Sequence, residues 1–155
     1  MKPILQALLV ADHVYEDKNT SKKVVAGIFH HLWYRKAEDA IQDNKEDGTR
    51  KIQVSPGGLK AGSPFCYISM TELRNKPSFS LRYVKLSDEK VFFHTDFTVD
   101  CNNPLEIVEI VLPLPTLPAD SPGTYALELL WNKDEPLGSH RIIAEEMQEP
   151  GEEKK

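Results

Sequence analysis

The sequence predicts an all-β domain, two packed antiparallel sheets of about eight strands interrupted by one long loop. Three observations predict it. Short segments rich in β-branched and aromatic residues recur roughly every ten residues between clusters of Asn, Asp, Gly and Pro, which is hairpin spacing. Several of these segments alternate apolar and polar side chains with period two, as a strand buried on one face must. The length, 155 residues with 40% hydrophobic and 28% charged side chains, suits one domain with one core.

Taken in order, residues 4–15 and 24–34 form a first hairpin, joined by Glu16-Asp17-Lys18-Asn19-Thr20-Ser21-Lys22-Lys23, whose Asp and Asn suit tight turns. Residues 35–64 break the pattern with Gly48, Gly57, Gly58, Gly62 and a dense mix of charges. They read as a long loop, and as the place for any specificity segment. Within it, residues 37–43 have the composition of a helical turn and residues 50–54 that of an edge strand.

Strand signal resumes over residues 65–73, and Arg74-Asn75-Lys76-Pro77 turns the chain into the alternating residues 79–83. After the turn Ser87-Asp88-Glu89-Lys90, the residues Val91, Phe93, Thr95, Phe97 and Val99 share one face, which puts His94 on the solvent side. Cys101-Asn102-Asn103-Pro104 ends that ladder because proline has no N–H to donate. Residues 107–112 are a nearly continuous apolar run, expected to be covered on both faces. Pro113, Pro115, Pro118 and Pro122 stiffen a crossover into residues 125–131, where Tyr125, Leu127, Leu129 and Trp131 alternate with Glu128 and Asn132. A last strand occupies residues 137–145. The domain is thus expected over residues 1–145, and residues 146–155, with almost nothing to bury, are expected to be a disordered acidic tail.

Asp120-Ser121-Pro122-Gly123-Thr124-Tyr125 ahead of an alternating strand is how a tyrosine corner reads. In that device a buried phenol packs between sheets while its hydroxyl bonds to upstream backbone and fixes a sheet-crossing connection. Tyr125 fills the role, with Gly123 and Asp120 ahead of it, and makes residues 125–131 and 137–145 central strands of an immunoglobulin-like Greek key. With Ala7-Leu8-Leu9-Val10-Ala11-Asp12, Val25-Ala26-Gly27-Ile28-Phe29, Pro122-Gly123-Thr124-Tyr125 and Leu137-Gly138, the chain resembles a family of small bacterial β-sandwich proteins of unknown function. The resemblance covers most of the chain outside residues 35–64 and the acidic tail. It implies the sandwich fold and a bacterial cytoplasmic origin, and supplies no catalytic residue.

The formal net charge is -5, so the long-range field repels phosphate backbones and anionic lipid, and neither nucleic acid nor membrane is an expected partner. The basic pairs Lys22-Lys23, Arg35-Lys36, Arg50-Lys51 and Lys154-Lys155 are too short and scattered to track a phosphate backbone. The run from Ile4 to Ala11 imitates a signal sequence, yet Gln6 interrupts it, Asp12-His13 follows at once, and no small-x-small cleavage site appears; a buried strand explains it better. No apolar stretch approaches the roughly 20 residues needed to cross a bilayer as a helix. Cys66 and Cys101 cannot build a disulfide framework and stand in no zinc or redox spacing, although a single bridge between them is left open. A soluble cytoplasmic protein in a reducing compartment is the expectation.

For chemistry the sequence offers little. His30 and His31, adjacent on a strand, would point to opposite faces and could not share a metal. Asp12 and His13 near His31 across the first hairpin would give a carboxylate and imidazole cluster able to orient a base; the plainer account is strand-end residues bonded to backbone. Asp43-Asn44-Lys45-Glu46-Asp47-Gly48 imitates a calcium loop, but Lys45 stands at a ligand position and Val54 where a bidentate glutamate is needed. There is no nucleophile elbow, and no group flanks either cysteine to depress its pKa. The expectation is therefore a non-enzymatic binding or scaffolding module needing no cofactor or metal. It would meet a protein partner, or a second copy of itself in a homodimer, through loops and a sheet face. Two alternatives stay open: a small metal-dependent hydrolase using Asp12, His13 and His31, and a carbohydrate-binding sandwich using exposed rings among Trp33, Tyr34 and Trp131.

Overall fold

A computed structural model describes residues 2–35 and 63–147. These residues form nine strands and no helix: β1 (Ile4–Glu16), β2 (Lys23–Ile28), β3 (His31–Tyr34), β4 (Phe65–Thr71), β5 (Ser78–Lys85), β6 (Lys90–Thr98), β7 (Val108–Pro113), β8 (Gly123–Trp131) and β9 (Glu135–Glu146). They make a four-stranded sheet in the order β2-β1-β4-β7 and a five-stranded sheet in the order β3-β9-β8-β5-β6. The expected helical turn at residues 37–43, the edge strand at residues 50–54, and nearly all of the long loop and the tail lie outside the described residues.

Most strands follow the alternation in the sequence. In β5, Phe79, Leu81 and Tyr83 turn inward and are fully buried, while Ser80 and Arg82 turn out. Across from them in β8, Tyr125, Leu127 and Leu129 do the same. β6 departs from strict alternation because a register shift opposite Tyr83 and Val84 pairs Phe93 and Val91 with them and leaves Phe92 as an extra residue. Phe92 packs at 5.7 Å from the Tyr125 ring. One cluster of buried side chains draws on both sheets, with Leu8, Val10, Cys66, Ile68 and Met70 from the first meeting Phe79, Leu81, Tyr83, Leu127, Leu129 and Ile142 from the second. Burying each of the larger of these contributes about 1.5–3 kcal/mol.

Three expectations need correction. Residues 24–34 are not one strand, because β2 pairs with β1 in the first sheet while β3 pairs with β9 in the second. The change of sheet follows Gly27, whose φ of +79° is the left-handed conformation that glycine adopts without a Cβ clash. The sheets are not antiparallel throughout either: having crossed over, β3 runs parallel to β9, with His31 beside Ile143 and Trp33 beside Glu145. Finally, the apolar run at residues 107–112 is not covered on both faces. β7 is an edge strand whose Val108, Ile110, Val111 and Leu112 are half-buried, and Ile107 ahead of it is exposed. Both cysteines are buried and free.

Tyr125 is fully buried. Its hydroxyl has two acceptors, Ser121 O at 2.7 Å and Asp120 Oδ1 at 3.0 Å, and itself accepts from the amides of Asp120 and Ser121 at 3.2 and 3.3 Å. Two residues of the crossover, Asp120 and Ser121, are thereby tied to one ring. Gly123 opens β8 with a φ of +153°, two residues before that ring.

Candidate functional site

The residues of the expected base cluster do not assemble. Asp12 is exposed on β1 and lies over Gly27, and His13 is exposed and faces Ala26 across the β1–β2 pair. His31 belongs to β3 in the other sheet. The hairpin geometry that would have brought His31 to His13 fails because the chain changes sheets between them. Among the described residues no three His, Cys, Asp or Glu side chains are placed to hold a metal ion.

Two of the three rings considered for sugar binding also face the core. Tyr34 is buried, and burial, with Glu146 beside it, pushes its phenol up to about 12. Trp131, opposite Phe79, packs against the core cluster. Trp33 alone turns outward, 45% exposed.

Around Trp33 the outward face of the five-stranded sheet gathers a patch that β3 and β9 hold in place. In a parallel pair, neighbouring residues send their side chains to the same face, so His31, Ile143, Trp33 and Glu145 stand together. Their alternates, Leu32 and Ala144, are buried beneath. The β3 backbone is fastened at both ends, where Ile143 N donates to His30 O at 2.8 Å and Met147 N donates to Tyr34 O at 2.7 Å. The His31 and Trp33 rings stack with centroids 6.0 Å apart and planes 17° from parallel. His31 Nε2 lies 3.6 Å from Glu145 Oε2. Ile143 is 43% exposed next to them. Farther along the same face, Arg82 Nε donates to Glu128 Oε1 at 2.9 Å and Ser80 Oγ to Asp96 Oδ1 at 2.7 Å. The result is an aromatic and aliphatic pair on rigid strands with a polar surround.

A stacked histidine pair lies nearby, where His140 turns inward from β9 and the exposed His30 sits in the bend between β2 and β3. His140 is buried, and its Nε2 donates to Phe29 O at 2.9 Å. His30 stacks on it with centroids 4.5 Å apart, and His30 Nδ1 donates to Arg141 O at 3.2 Å. Burial lowers the pKa of His140, with the nearby His30 acting in the same direction. Both rings clamp the point where the chain passes from β2 to β3, which is a structural use of histidine.

Sequence reasoning found Trp33 and His31 but missed Ile143, Glu145 and the His30–His140 stack. A signal for Ile143 was present: in His140-Arg141-Ile142-Ile143-Ala144, consecutive isoleucines on a strand cannot both face the core. No protein-family model matches the chain, and no curated protein matches it.

Proposed function

We propose that this chain is a non-enzymatic binding module with an immunoglobulin-like Greek-key sandwich as its scaffold, and that it grips another protein through the outward face of its five-stranded sheet. The observation that carries this reading is the exposure of Trp33 and Ile143 on one face of neighbouring strands whose inward neighbours are buried. A rigid Trp on a flat surface, next to an aliphatic side chain and rimmed by hydrogen-bonding groups, has the make-up of an interface hot spot. The buried Tyr125 with its upstream backbone bonds, and the crossing of the chain between sheets after β4 and after β6, support the Greek-key scaffold.

The test compares the full chain with Trp33→Ser/Ile143→Ser and with the control Tyr15→Ser, an exposed ring on β1 of the other sheet. Partners recovered by tagged purification at native levels are then rebuilt from pure components and titrated by calorimetry. Loss of at least about tenfold in affinity in the first variant only, the size of a hot-spot truncation, supports the reading. Equal affinity in all three sinks it. A second reading is favoured by the same ring: a Trp platform with His31 and Glu145 at its rim also suits a sugar. Glycan-array binding that Trp33→Ser abolishes would select it.

A further inference from the structure

Among the described residues the two sheets leave four open edges, β2 and β7 on one and β3 and β6 on the other. An open edge invites pairing with another chain unless it is short or blunted by Pro, Lys or a bulge. β3 has only 4 residues, and β7 has 6, ending at Pro113. β2, also of 6 residues, begins at Lys23 and is interrupted near its end by the left-handed Gly27. β6 has 9 residues, Lys-Val-Phe-Phe-His-Thr-Asp-Phe-Thr, with no proline, and both its lysine, Lys90, and its bulge at Phe92 lie at one end, leaving Phe93 to Thr98 unblunted.

The backbone direction on β6 can be read from its neighbour. Val99 N donates to Pro77 O, so in the pairs Phe79 with Phe97, Leu81 with Thr95 and Tyr83 with Phe93 the hydrogen bonds point toward β5. By alternation His94, Asp96 and Thr98 turn their N–H and C=O groups to the open side. On the core face Phe93 and Phe97 are only half-buried, each stacked at 5.5 Å on one inner ring, Tyr83 and Phe79 respectively. On the outward face His94 and Asp96 are exposed.

We propose that two copies of this chain pair β6 to β6, antiparallel, about a two-fold axis at Thr95, so that one sheet runs through both copies. Charge selects the register. Centred on His94, the pairing sets imidazole against imidazole; centred on Asp96, it sets carboxylate against carboxylate, and like charges directly opposite are unfavourable. Centred on Thr95, it sets His94 against Asp96 of the other copy twice, and Phe93 against Phe97 twice on the core face, covering the rings that one copy leaves half-open. The regular ladder then ends at the bulge of Phe92, opposite Thr98. This interface lies at the far edge of the sheet from Trp33, and of the groups described around that ring it shares only Asp96, which Ser80 holds.

Sedimentation equilibrium of the full chain tests it. The expected result is a monomer–dimer equilibrium. His94→Asp and Asp96→His each weaken it by about tenfold, and the double swap His94→Asp/Asp96→His restores it. Thr95→Cys provides a second measurement, because residues facing each other at a non-hydrogen-bonded position stand close enough for a disulfide. Mild oxidation should link Thr95→Cys into a dimer and leave Ser139→Cys, an exposed control on β9, as monomer. A protein monomeric at all concentrations, a dimer indifferent to the single variants, a double swap that does not recover, or a Thr95→Cys chain that fails to cross-link would each overturn the proposal.

Discussion

The carboxylate of Asp12 occupies the space beside Gly27 where any other residue would carry its Cβ: an ideal Cβ there lies 2.8 Å from Asp12 Oδ2 and 3.0 Å from Asp12 Cβ. With Gly27 also at a φ of +79°, Gly27→Ala meets two penalties. The left-handed backbone alone costs about 1–2 kcal/mol. Urea denaturation should show Gly27→Ala destabilised by at least that much, and Asp12→Ala on the same background, which removes the carboxylate but keeps the Cβ 3.0 Å away, should recover only part of the steric penalty.

Tyr125→Phe removes a hydroxyl that satisfies two upstream amides and a carbonyl. The expected loss is about 1–3 kcal/mol with the fold retained, because the ring still fills its place while its partners lose their bonds. A variant as stable as the parent in chemical denaturation would show the corner to be unimportant.

Tyr83→Phe should act in the opposite direction. Tyr83 is fully buried, and among the described residues its hydroxyl has no hydrogen-bond partner. Deleting an unsatisfied buried hydroxyl while keeping the ring should gain about 1 kcal/mol, read as a rise in the urea midpoint.

Asp120 and His140 set two acid limbs. Burial by itself would raise the Asp120 carboxyl, but hydrogen bonds from Lys90, Tyr125 and Lys85 hold it at about 2, against 3.8 for a free aspartate. The unfolded chain therefore takes up that proton first, so this stabilisation is complete above about pH 4 and is lost as pH falls toward 2. The difference in unfolding free energy between the parent and Asp120→Asn should shrink over that interval. His140 is lowered from 6.5 by burial, so the unfolded chain again binds the proton first, and stability declines as pH drops below about 6.5. His140→Gln, which keeps a donor for Phe29 O, should show a shallower decline there.

Cys66 is fully buried, and burial pushes its thiol up to about 12. Ellman's reagent at pH 8 should leave both cysteines untouched in the native protein and titrate both in guanidinium. Rapid native labelling would mean that the core opens far more readily than its packing implies.

Much of the fold was legible because burial on one face imposes period two, and β5, β8 and β9 carry that imprint in residues such as Phe79, Leu81, Leu127 and Leu129, whereas in β6 the bulge leaves Val91 exposed and packs Phe92 on Tyr125. The break between β2 and β3 was hidden because the residues from Val24 to Tyr34 are apolar or aromatic almost without pause, and only Gly27 hints at a turn. The hydrolase cluster failed for the same reason: which sheet His31 joins is decided by a partner strand more than a hundred residues away, and local pattern carries no such information. His140 was within reach, since parity with Ile142 and Ala144 turns it inward.

The parallel seam between β3 and β9 has a consequence for synthesis. His31 pairs with Ile143, so a growing chain cannot seat the Trp33 strand until β9 has left the ribosome. Every other strand of the five-stranded sheet can zip to a neighbour made shortly before or after it, whereas this one waits for a partner more than a hundred residues further on. The surface around Trp33 is therefore a late product of folding, and a nascent chain stalled before β9 displays no such surface at all.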